Sequence, residues 1–507
     1  MHTSDTLLPD WLTRCTQNRP QHLAVQYDET RWTFSQLDRE VTRLARQLAT
    51  LHIGEGNRVA LLAANSLHFV TCVHALTRLG AILVPLNTRL TADELRWQVQ
   101  DAHVTLLLHD AEHASIATHI VTNVPQVAQA PFTQSETDSS IPVLANVPET
   151  DVALRTLIDL SATQAIIYTS GTTGTPKGAI ITYGMQWWNA IGSALNLGHQ
   201  PDDCWLACMP FFHIGGLSIL MRSVIYQISV IVQQKFDAEA VNTAIQQQHV
   251  TIISVVAVML QRMLTMLDTQ KEAYPAALRC VLLGGGPAPR PLLEACAAKH
   301  IPVVQTYGMT EACSQAVTLA PEDALRKLGS AGRPLPSVQL RVLHDGQEAQ
   351  PEEAGEIYLK GPTITPGYAD QPEATTRALV DGWLATGDIG YLDAEGYLYV
   401  LDRRSDLIIS GGENVYPAEI EAVLLSHPHV AEVGVCGQPD AQWGQVPIAF
   451  VHLKDESVAV SPNDLIEYAS QRLARYKQPR AVYIVEQLPR NSSGKLLRRE
   501  LPRLLPM

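Results

Sequence analysis

Strand-like apolar runs alternate with helical stretches over the first 320 residues of this 507-residue chain. The first two runs are RVALLAA at 58–64 and AILVPL at 81–86, and the last two are CVLLGGG at 280–286 and IPVVQTYG at 301–308. Alternating strands and helices form layers around mainly parallel sheet, because the connection between parallel neighbours usually contains a helix. The pattern therefore predicts an α/β fold, and Thr91-Ala-Asp-Glu94 predicts one helix start through a capping box.

Two changes of pattern divide the rest of the chain. From about residue 329 short strands and turns predominate, which is typical of a β-rich subdomain. After the polar segment LDRRSD at 401–406, a second α/β pattern begins with PAEIEAVLLSH and ends with AVYIVE. We therefore predict a large domain at 1–402, in which layered, mainly parallel sheets carry the β-rich subdomain, and a small α+β domain at 403–507.

The composition argues against several classes of partner and location. The formal net charge is −14 and no long basic block is present, which argues against nucleic acid, because neutralising phosphates needs clustered Lys and Arg. The eight cysteines are scattered and lack paired metal spacing, so reduced thiols in a cytoplasmic protein are expected. The most apolar run, 214–232, is interrupted by Arg222 and Gln227, and the N-terminus lacks a signal pattern, so neither secretion nor a membrane span is predicted.

Residues 170–178 read SGTTGTPKG, which is the composition of a phosphate-binding loop. Glycines let backbone N–H groups approach an anion, hydroxyls donate hydrogen bonds, and Lys177 adds a positive charge. A P-loop requires Gly-Lys followed by Ser or Thr, whereas Lys177 lies between Pro176 and Gly178 and leads into the β-rich AIIT. We interpret the loop as a polyphosphate site of another kind, with a surface turn as the structural alternative.

Five further motifs follow this loop in the chain: GGGP at 284–287, YGMTE at 307–311, TGD at 386–388, SGGENVYPAEIE at 410–421 and PRNSSGK at 489–495. Together with the loop they resemble the adenylate-forming superfamily of acyl-CoA synthetases, firefly luciferases and nonribosomal peptide adenylation domains, over nearly the whole chain. The resemblance implies two half-reactions. ATP and a carboxylate first form an acyl-adenylate and pyrophosphate, and a thiol then displaces AMP to give a thioester.

Elementary chemistry explains why such motifs are needed. A carboxylate is a poor electrophile, and attack on the α-phosphate develops charge that cations stabilise. The resemblance accordingly implies ATP and Mg²⁺, CoA as co-substrate, a small carboxylic acid as the other substrate, and a small domain that is mobile. It leaves the oligomeric state open, with a homo-oligomer among the options.

The resemblance also implies roles for individual residues. Those implied for the phosphates are Ser170, Thr172, Thr173, Lys177 and Thr310, with Glu311 as the magnesium-binding carboxylate. Those implied for adenosine are Gly284, Gly285, Gly286, Thr306 and Tyr307 at the base, Asp388 at the ribose, and Arg403 at the ribose or phosphate. Lys495 resembles the lysine that bridges the attacking carboxylate and the α-phosphate. The structural alternatives are a turn for Thr310, Asp388 and the glycines, and a solvated charge for Glu311 and Lys495.

Two segments depart from the pattern of many relatives. The hinge reads Asp402-Arg403-Arg404-Ser405 instead of Gly-Arg followed two positions after the arginine by Asp or Lys, so the implied pivot is Ser405. The segment VVAVML at 255–260 lacks the proline often present there.

Three stretches look most like the o-succinylbenzoate:CoA ligases of menaquinone biosynthesis: FFHIGGLSILMR at 211–222, QTYGMTEACSQ at 305–315 and LDRRSDLIISGGENVYPAEIE at 401–421. That substrate has two carboxylates, of which the succinyl one is activated and the aromatic one must be recognised without reacting. Recognition needs a donor in an apolar pocket, and the candidates are Arg222, Ser314 and Gln315, with Val256 as an apolar lining residue.

The thiol end of the site has its own candidates. His213 resembles a gate between the acyl pocket and a CoA tunnel lined by Gly411 and Gly412. The structural alternative for His213 is a satisfied core histidine, and that for Arg222 is a helix-surface arginine whose charge reaches water.

Rival functions remain. In the same class they are a medium-chain or aryl acyl-CoA synthetase of the 4-coumarate type and a stand-alone adenylation domain that loads a carrier protein. The rival from another class is a catalytically silent nucleotide-binding relative, which the presence of Glu311, Asp388 and Lys495 disfavours.

Overall fold

The computed structural model describes residues 6–134, 142–144, 146–169, 176–286, 288, 290–403, 406–410, 413–440, 443–454, 460–473, 475–490 and 496–506. Within these residues, no helix is both long and apolar enough to cross a membrane.

The first part of the chain alternates strands with helices, as the apolar runs predict. Its strands are β1 (Leu7–Pro9), β2 (Leu23–Tyr27), β3 (Thr30–Thr33), β4 (Arg58–Leu62), β5 (Ile82–Pro85), β6 (Leu106–His109), β7 (Ala128–Gln134), β8 (Pro142–Leu144), β9 (Leu157–Asp159), β10 (Thr163–Thr169), β11 (Lys177–Thr182), β12 (Cys204–Ala207), β13 (Ser229–Val232), β14 (Ile252–Val255), β15 (Cys280–Leu283), β16 (Val303–Tyr307), β17 (Val317–Thr318) and β18 (Arg333–Pro334). Its helices are α1 (Trp11–Asn18), α2 (Phe34–Thr50), α3 (Leu67–Leu79), α4 (Ala92–Asp101), α5 (Ala114–Asn123), α6 (Tyr183–Leu197), α7 (Ile214–Tyr226), α8 (Ala238–Gln247), α9 (Ala257–Gln270) and α10 (Arg290–Ala298).

Two large sheets organise these elements. One has the order β11-β10-β5-β4-β6-β7-β8, and the other has the order β18-β17-β16-β15-β14-β12-β13-β2-β3. Neighbours are parallel from β10 to β7 in the first sheet and from β16 to β2 in the second, and the outer pairs are antiparallel. Strands β6, β12, β13 and β15 are buried at every position, because helices cover both faces of a parallel sheet. The predicted α/β fold is confirmed.

Local signals set the helix starts. Helix α4 begins after Thr91, whose backbone N–H donates to Glu94 Oε2 at 2.8 Å while its hydroxyl accepts from the Glu94 N–H at 3.4 Å. This is the predicted capping box. Gly80, at φ +70°, ends α3 in the left-handed conformation that glycine adopts without strain.

The β-rich subdomain follows as an antiparallel sheet. Its strands are β19 (Gln339–His344), β20 (Gln347–Glu348), β21 (Gly355–Lys360), β22 (Leu379–Val380), β23 (Trp383–Leu392) and β24 (Leu398–Arg403), with α11 (Pro372–Ala378) between β21 and β22. The order is β20-β19-β21-β23-β22, and β24 also pairs with β23. Arg403 pairs with Asp388, so this last strand extends one residue beyond the domain boundary predicted at residue 402.

The C-terminal part forms a separate small sheet with helices. Its elements are β25 (Ile408–Ser410), β26 (Glu413–Val415), α12 (Pro417–Leu425), β27 (Val430–Asp440), β28 (Gly444–Leu453), α13 (Pro462–Ser470) and β29 (Ala481–Ile484). The strands are ordered β26-β25-β28-β27, and β29 adds in parallel to β28. Ile420, Val435, Ala449 and Leu465 are buried in its own apolar core, which is the expected property of an α+β domain.

Candidate active site

The turn from Gly308 to Gln315 lies at the centre of the site. The Ala316 N–H donates to the Tyr307 carbonyl at 2.9 Å, and the Ser314 N–H donates to the Met309 carbonyl at 3.1 Å. A Cβ on Gly308 would lie 1.5 Å from the Ser314 carbonyl oxygen, so only glycine fits there. This tight turn fixes the side chains on either side of it.

The residues predicted for adenosine meet on one side of the turn. Strands β15 and β16 are parallel, so Gly284 and Tyr307 lie at the same sheet edge, where open α/β sheets bind ligands. The Tyr307 hydroxyl donates to Asp388 Oδ2 at 2.7 Å. Asp388 in turn pairs with Arg403 across β23 and β24. A glycine-lined edge, an aromatic ring and a carboxylate are therefore brought together from three strands, β15, β16 and β23.

Thr306 and Gly285 contribute to this edge through contacts with other residues of the protein. The Thr306 hydroxyl donates to the Val317 carbonyl at 2.9 Å, and a Cβ on Gly284 would lie 3.0 Å from its methyl group. Gly285 has φ +80°, and a Cβ there would lie 3.0 Å from Val256 Cγ1. Thr306 therefore supports the sheet edge through its hydroxyl, and Val256 lies against the glycine segment.

Two of the residues predicted for phosphate and magnesium, Lys177 and Glu311, contact the same tyrosine, Tyr368. Glu311 lies in a short 3₁₀ helix, Thr310–Ala312, and its Oε1 accepts a hydrogen bond of 2.9 Å from the Tyr368 hydroxyl. Lys177 Nζ lies 5.2 Å from the centroid of the same tyrosine ring. Burial and the charge of Glu311 raise the pKa of Tyr368, so its hydroxyl remains a donor.

This arrangement fits a magnesium ion bound together with a nucleotide. Among the described residues, no cluster of three or more His, Cys, Asp or Glu side chains could hold a metal ion. Magnesium sites of nucleotide enzymes commonly need only one or two carboxylates, because substrate phosphates and water supply the other ligands. The half-buried carboxylate of Glu311, which accepts the Tyr368 hydrogen bond, meets that requirement.

Arg222 lies on the third side of the turn, within a buried polar cluster. It is 2% exposed, and its Nη2 donates to Asn189 Oδ1 at 2.5 Å. Asn189 Nδ2 donates to the Gln315 carbonyl at 2.7 Å, and Gln315 Nε2 donates to Ser193 Oγ at 3.3 Å. The guanidinium lies 5.4 Å from the Trp205 ring centroid. The surface alternative for Arg222 is therefore wrong.

The cluster lacks a counter-charge within the described chain. No described Asp or Glu forms a salt bridge with Arg222, and burial lowers the pKa of its guanidinium. Buried polar atoms without a hydrogen-bond partner in the described residues include Arg222 Nε, Gln315 Oε1, Ser218 Oγ and His213 Nε2. Since buried polar groups are normally paired, the unpaired atoms of Arg222 and Gln315 indicate a place for a polar ligand.

His213 precedes α7, the helix that also carries Ser218 and Arg222. Burial, with the charge of Arg89, lowers the pKa of His213 to about 4, so the imidazole is neutral at pH 7. Its Nε2 is buried and has no hydrogen-bond partner among the described residues, which argues against the alternative of a core histidine with both nitrogens paired. Asn65 supports the preceding loop by donating to the Met209 carbonyl at 2.9 Å and accepting from the Phe211 N–H at 2.9 Å.

Several predicted residues lie outside the described part of the chain: Ser170, Thr172, Thr173, Ser405, Gly411, Gly412 and Lys495. For these, and for the Arg403 side chain, the roles implied by resemblance stay predictions.

The structure also adds residues that the sequence did not single out, namely Asn65, Asn189, Ser218 and Tyr368. The hydrogen-bond partners of Asn65, Asn189 and Tyr368 lie far away in sequence; Asn189 and Gln315, for instance, are 126 positions apart. No short motif marks such pairs.

Comparison with known proteins decides the family. Residues 12–369 match the family described as AMP-binding enzyme, and residues 419–495 match the AMP-binding enzyme C-terminal domain. The chain belongs to the AMP-binding enzyme family. The resemblance read from the motifs is thereby confirmed.

Relatives within the AMP-binding enzymes match over the full length. The chain is 51% identical to a 2-succinylbenzoate--CoA ligase of Geobacillus sp. (strain WCH70), over 99% of this chain and 98% of the relative. It is 52% identical to a protein of the same description from Geobacillus kaustophilus (strain HTA426), over 99% of both chains.

Solved structures of similar proteins also match this chain over nearly its whole length. The o-succinylbenzoate CoA synthetase of Bacillus subtilis in complex with the acyl-adenylate intermediate OSB-AMP has a TM-score of 0.90 and 44% identity, with 98% of each chain covered. The same enzyme in complex with ATP and magnesium ion also has a TM-score of 0.90 and 44% identity, covering 98% of this chain and 100% of that one.

Proposed function

We infer that the protein is an AMP-forming acid:CoA ligase that converts 2-succinylbenzoate, ATP and CoA into 2-succinylbenzoyl-CoA, AMP and pyrophosphate, the ligation used in menaquinone biosynthesis. One observation supports this function most strongly. The turn at 308–315 has the adenosine candidates on one side, Glu311 with Lys177 on another, and the uncompensated Arg222 on the third. A dicarboxylate substrate supplies the missing negative charge at Arg222 and a second carboxylate to be activated.

The proposed adenylation step combines these positions with the roles that the resemblance implies. Tyr307 packs against adenine while Asp388 accepts hydrogen bonds from the ribose hydroxyls, which orients the α-phosphate. Lys177 and the loop hydroxyls Ser170, Thr172 and Thr173 bind the departing pyrophosphate, and Thr310 contacts the α-phosphate. Magnesium on Glu311 supplies positive charge to the phosphate oxygens. Lys495 bridges the succinyl carboxylate and the α-phosphate, so charge developing during attack is stabilised.

Substrate selection rests on the buried cluster. The Arg222 guanidinium and the Gln315 amide lie in an apolar surround where a carboxylate gains a strong charge-assisted hydrogen bond. Ser314, next to Gln315, has φ +87°, a strained conformation for a non-glycine residue. Strain of this kind is common at ligand-binding sites. His213, neutral at pH 7, stands at the other end of α7, where we place the passage for the CoA thiol.

A ligation assay over a small acid panel tests the function. Thioester formation from ATP and CoA is measured with 2-succinylbenzoate, benzoate, 4-coumarate and octanoate. The proposal requires 2-succinylbenzoate to have the highest kcat/KM. A higher value for coumarate or octanoate would reassign the enzyme to an aryl or medium-chain synthetase. Pyrophosphate release without thioester formation would instead indicate a carrier-protein acceptor, and no release with any acid would indicate a silent relative.

Asp388→Ala is expected to raise the KM for ATP by roughly 10- to 100-fold, the cost of losing a hydrogen bond to a charged acceptor. Pyrophosphate release at varied ATP measures this. Tyr307→Phe is the matched variant, since it removes the 2.7 Å hydrogen bond to Asp388 but keeps the ring, and its effect should be smaller. A KM for ATP within twofold of the wild type in Asp388→Ala would disprove the ribose contact.

We also propose that the domains at 1–402 and 403–507 rotate between the half-reactions, because Lys495 and the Gly411-Gly412 pair must serve the same site at different times. Ser405→Pro is expected to slow thioester formation more than adenylate formation. Single-turnover measurements of each half-reaction make the comparison. Equal slowing of both steps would contradict a pivot at Ser405.

A further inference from the structure

We propose that Tyr368 is a positioning residue for adenylation, holding the magnesium-binding carboxylate of Glu311 through its hydroxyl and facing Lys177 with its ring. This inference rests on the proposed function, because it assigns Glu311 to magnesium and Lys177 to phosphate. The three groups come from separate parts of the chain. Glu311 and Tyr368 are 57 positions apart, and Lys177 begins β11.

The backbone around Tyr368 is tied to both of its partners. Ala179 forms an isolated antiparallel bridge with Tyr368, and the Ala369 N–H donates to the Gly178 carbonyl at 2.8 Å. On the other side, the Thr365 N–H donates to the Glu311 carbonyl at 2.8 Å. The segment 365–369 therefore joins the strand after the phosphate loop to the short helix that carries Glu311.

Two further contacts hold the backbone at Gly367 and Tyr368. The Tyr368 N–H donates to Thr375 Oγ1 at 2.9 Å. Gly367 has φ +146°, and a Cβ there would lie 2.4 Å from Thr375 Cγ2, so only glycine allows this close approach. The backbone at Tyr368 is therefore fixed, and its hydroxyl hydrogen-bonds to Glu311.

The contacts of Tyr368 affect the charged groups of both Glu311 and Lys177. A hydrogen bond to one carboxylate oxygen restricts the rotation of Glu311, and Mg²⁺ requires closely octahedral ligand geometry. Outer partners of metal ligands typically contribute 10- to 100-fold in metal affinity. Within the described residues no salt bridge joins Lys177 to Glu311, and the Tyr368 ring contacts the lysine instead. The Glu311 carboxylate thus remains available to the metal and the Lys177 ammonium to the nucleotide, because the two do not form an ion pair.

Tyr368→Phe tests the hydroxyl while keeping the ring. Manganese, as a paramagnetic substitute for magnesium, is titrated by electron paramagnetic resonance in the presence of α,β-methylene-ATP. We expect the affinity for Mn²⁺ to fall about tenfold. Binding of AMP without metal should stay within about twofold, because the ring and adenosine site are intact.

Tyr397→Phe is the matched control. Tyr397 is a buried tyrosine whose hydroxyl also donates to a carboxylate, that of Asp323, but it lies at the turn between β23 and β24, at the opposite end of this hairpin from Asp388. It should leave the affinity for Mn²⁺ unchanged. Thermal unfolding of both variants reports any general loss of stability.

Two outcomes would overturn the inference: wild-type affinity for Mn²⁺ in Tyr368→Phe, or an equal loss of Mn²⁺ and AMP binding, which marks a purely structural role. A second measurement is the magnesium dependence of adenylation. Excess Mg²⁺ should restore much of the rate in Tyr368→Phe, while thioester formation from supplied acyl-adenylate should be unchanged. If instead the wild type bound Mn²⁺ with the ATP analogue yet ligated no acid of the panel, the proposed function would fail and the metal-positioning role would stand.

Discussion

Lys495→Ala is expected to slow acyl-adenylate formation by roughly 10²- to 10³-fold, the usual effect of removing one preorganised electrostatic contact from a transition state. The positive charge matters only while negative charge moves between the attacking carboxylate and the α-phosphate. Thioester formation from supplied acyl-adenylate should therefore be nearly unaffected. Rapid-quench measurement of the two half-reactions separates these expectations.

A lysine elsewhere in the same domain serves as the control. Lys454 donates to the Pro428 carbonyl at 2.8 Å and is not a site candidate. Lys454→Ala removes one positive charge from the C-terminal part and should leave both half-reactions within about twofold. If Lys495→Ala slowed both steps equally, Lys495 would have to be reassigned to folding or to CoA binding.

Arg222→Ala is expected to cost about 2–5 kcal/mol in the transition state for 2-succinylbenzoate, because the aromatic carboxylate would lose its cation in a dry pocket. This corresponds to at least tens of fold in kcat/KM. The structure strengthens the expectation, since Arg222 is 2% exposed and no described acidic residue pairs with it. Arg222→Lys should recover only part of the loss, because an ammonium cannot reproduce the planar fork of the guanidinium.

A substrate pair separates recognition from damage to the fold. 4-Oxo-4-phenylbutanoate is 2-succinylbenzoate without the aromatic carboxylate, and its kcat/KM should change little between wild type and Arg222→Ala. Thermal unfolding is needed as well, since the mutation leaves Asn189 Oδ1 without its 2.5 Å donor. If both acids lost activity equally, or if the wild type preferred the monocarboxylate, Arg222 would not be the selector and the assignment to 2-succinylbenzoate would weaken.

Much of the fold could be predicted because its signals are local. Apolar runs of strand length, interrupted by helical stretches, predict buried parallel strands, and the runs at 280–286 and 301–308 contain β15 and β16. The capping box at Thr91 and Glu94 depends on four consecutive residues, and it formed as expected. The ordered motifs likewise named Tyr307, Glu311 and Asp388, because each motif is a short segment that can be recognised without knowledge of its neighbours in the fold.

Only the tertiary structure could decide the surroundings of Arg222 and Glu311. An arginine in the apolar helix segment SILMRSVIY can extend to water or be buried among polar partners, and both satisfy the same local pattern. The choice depended on Asn189, which comes from α6, and on Gln315, which ends the central turn. Tyr368 meets Glu311 for the same kind of reason. Sequence periodicity records which face of an element is apolar, whereas the partner of a polar group is set by how distant elements pack. The motifs therefore identified the nucleotide-binding candidates, and packing decided that the Arg222 candidate is buried among polar partners.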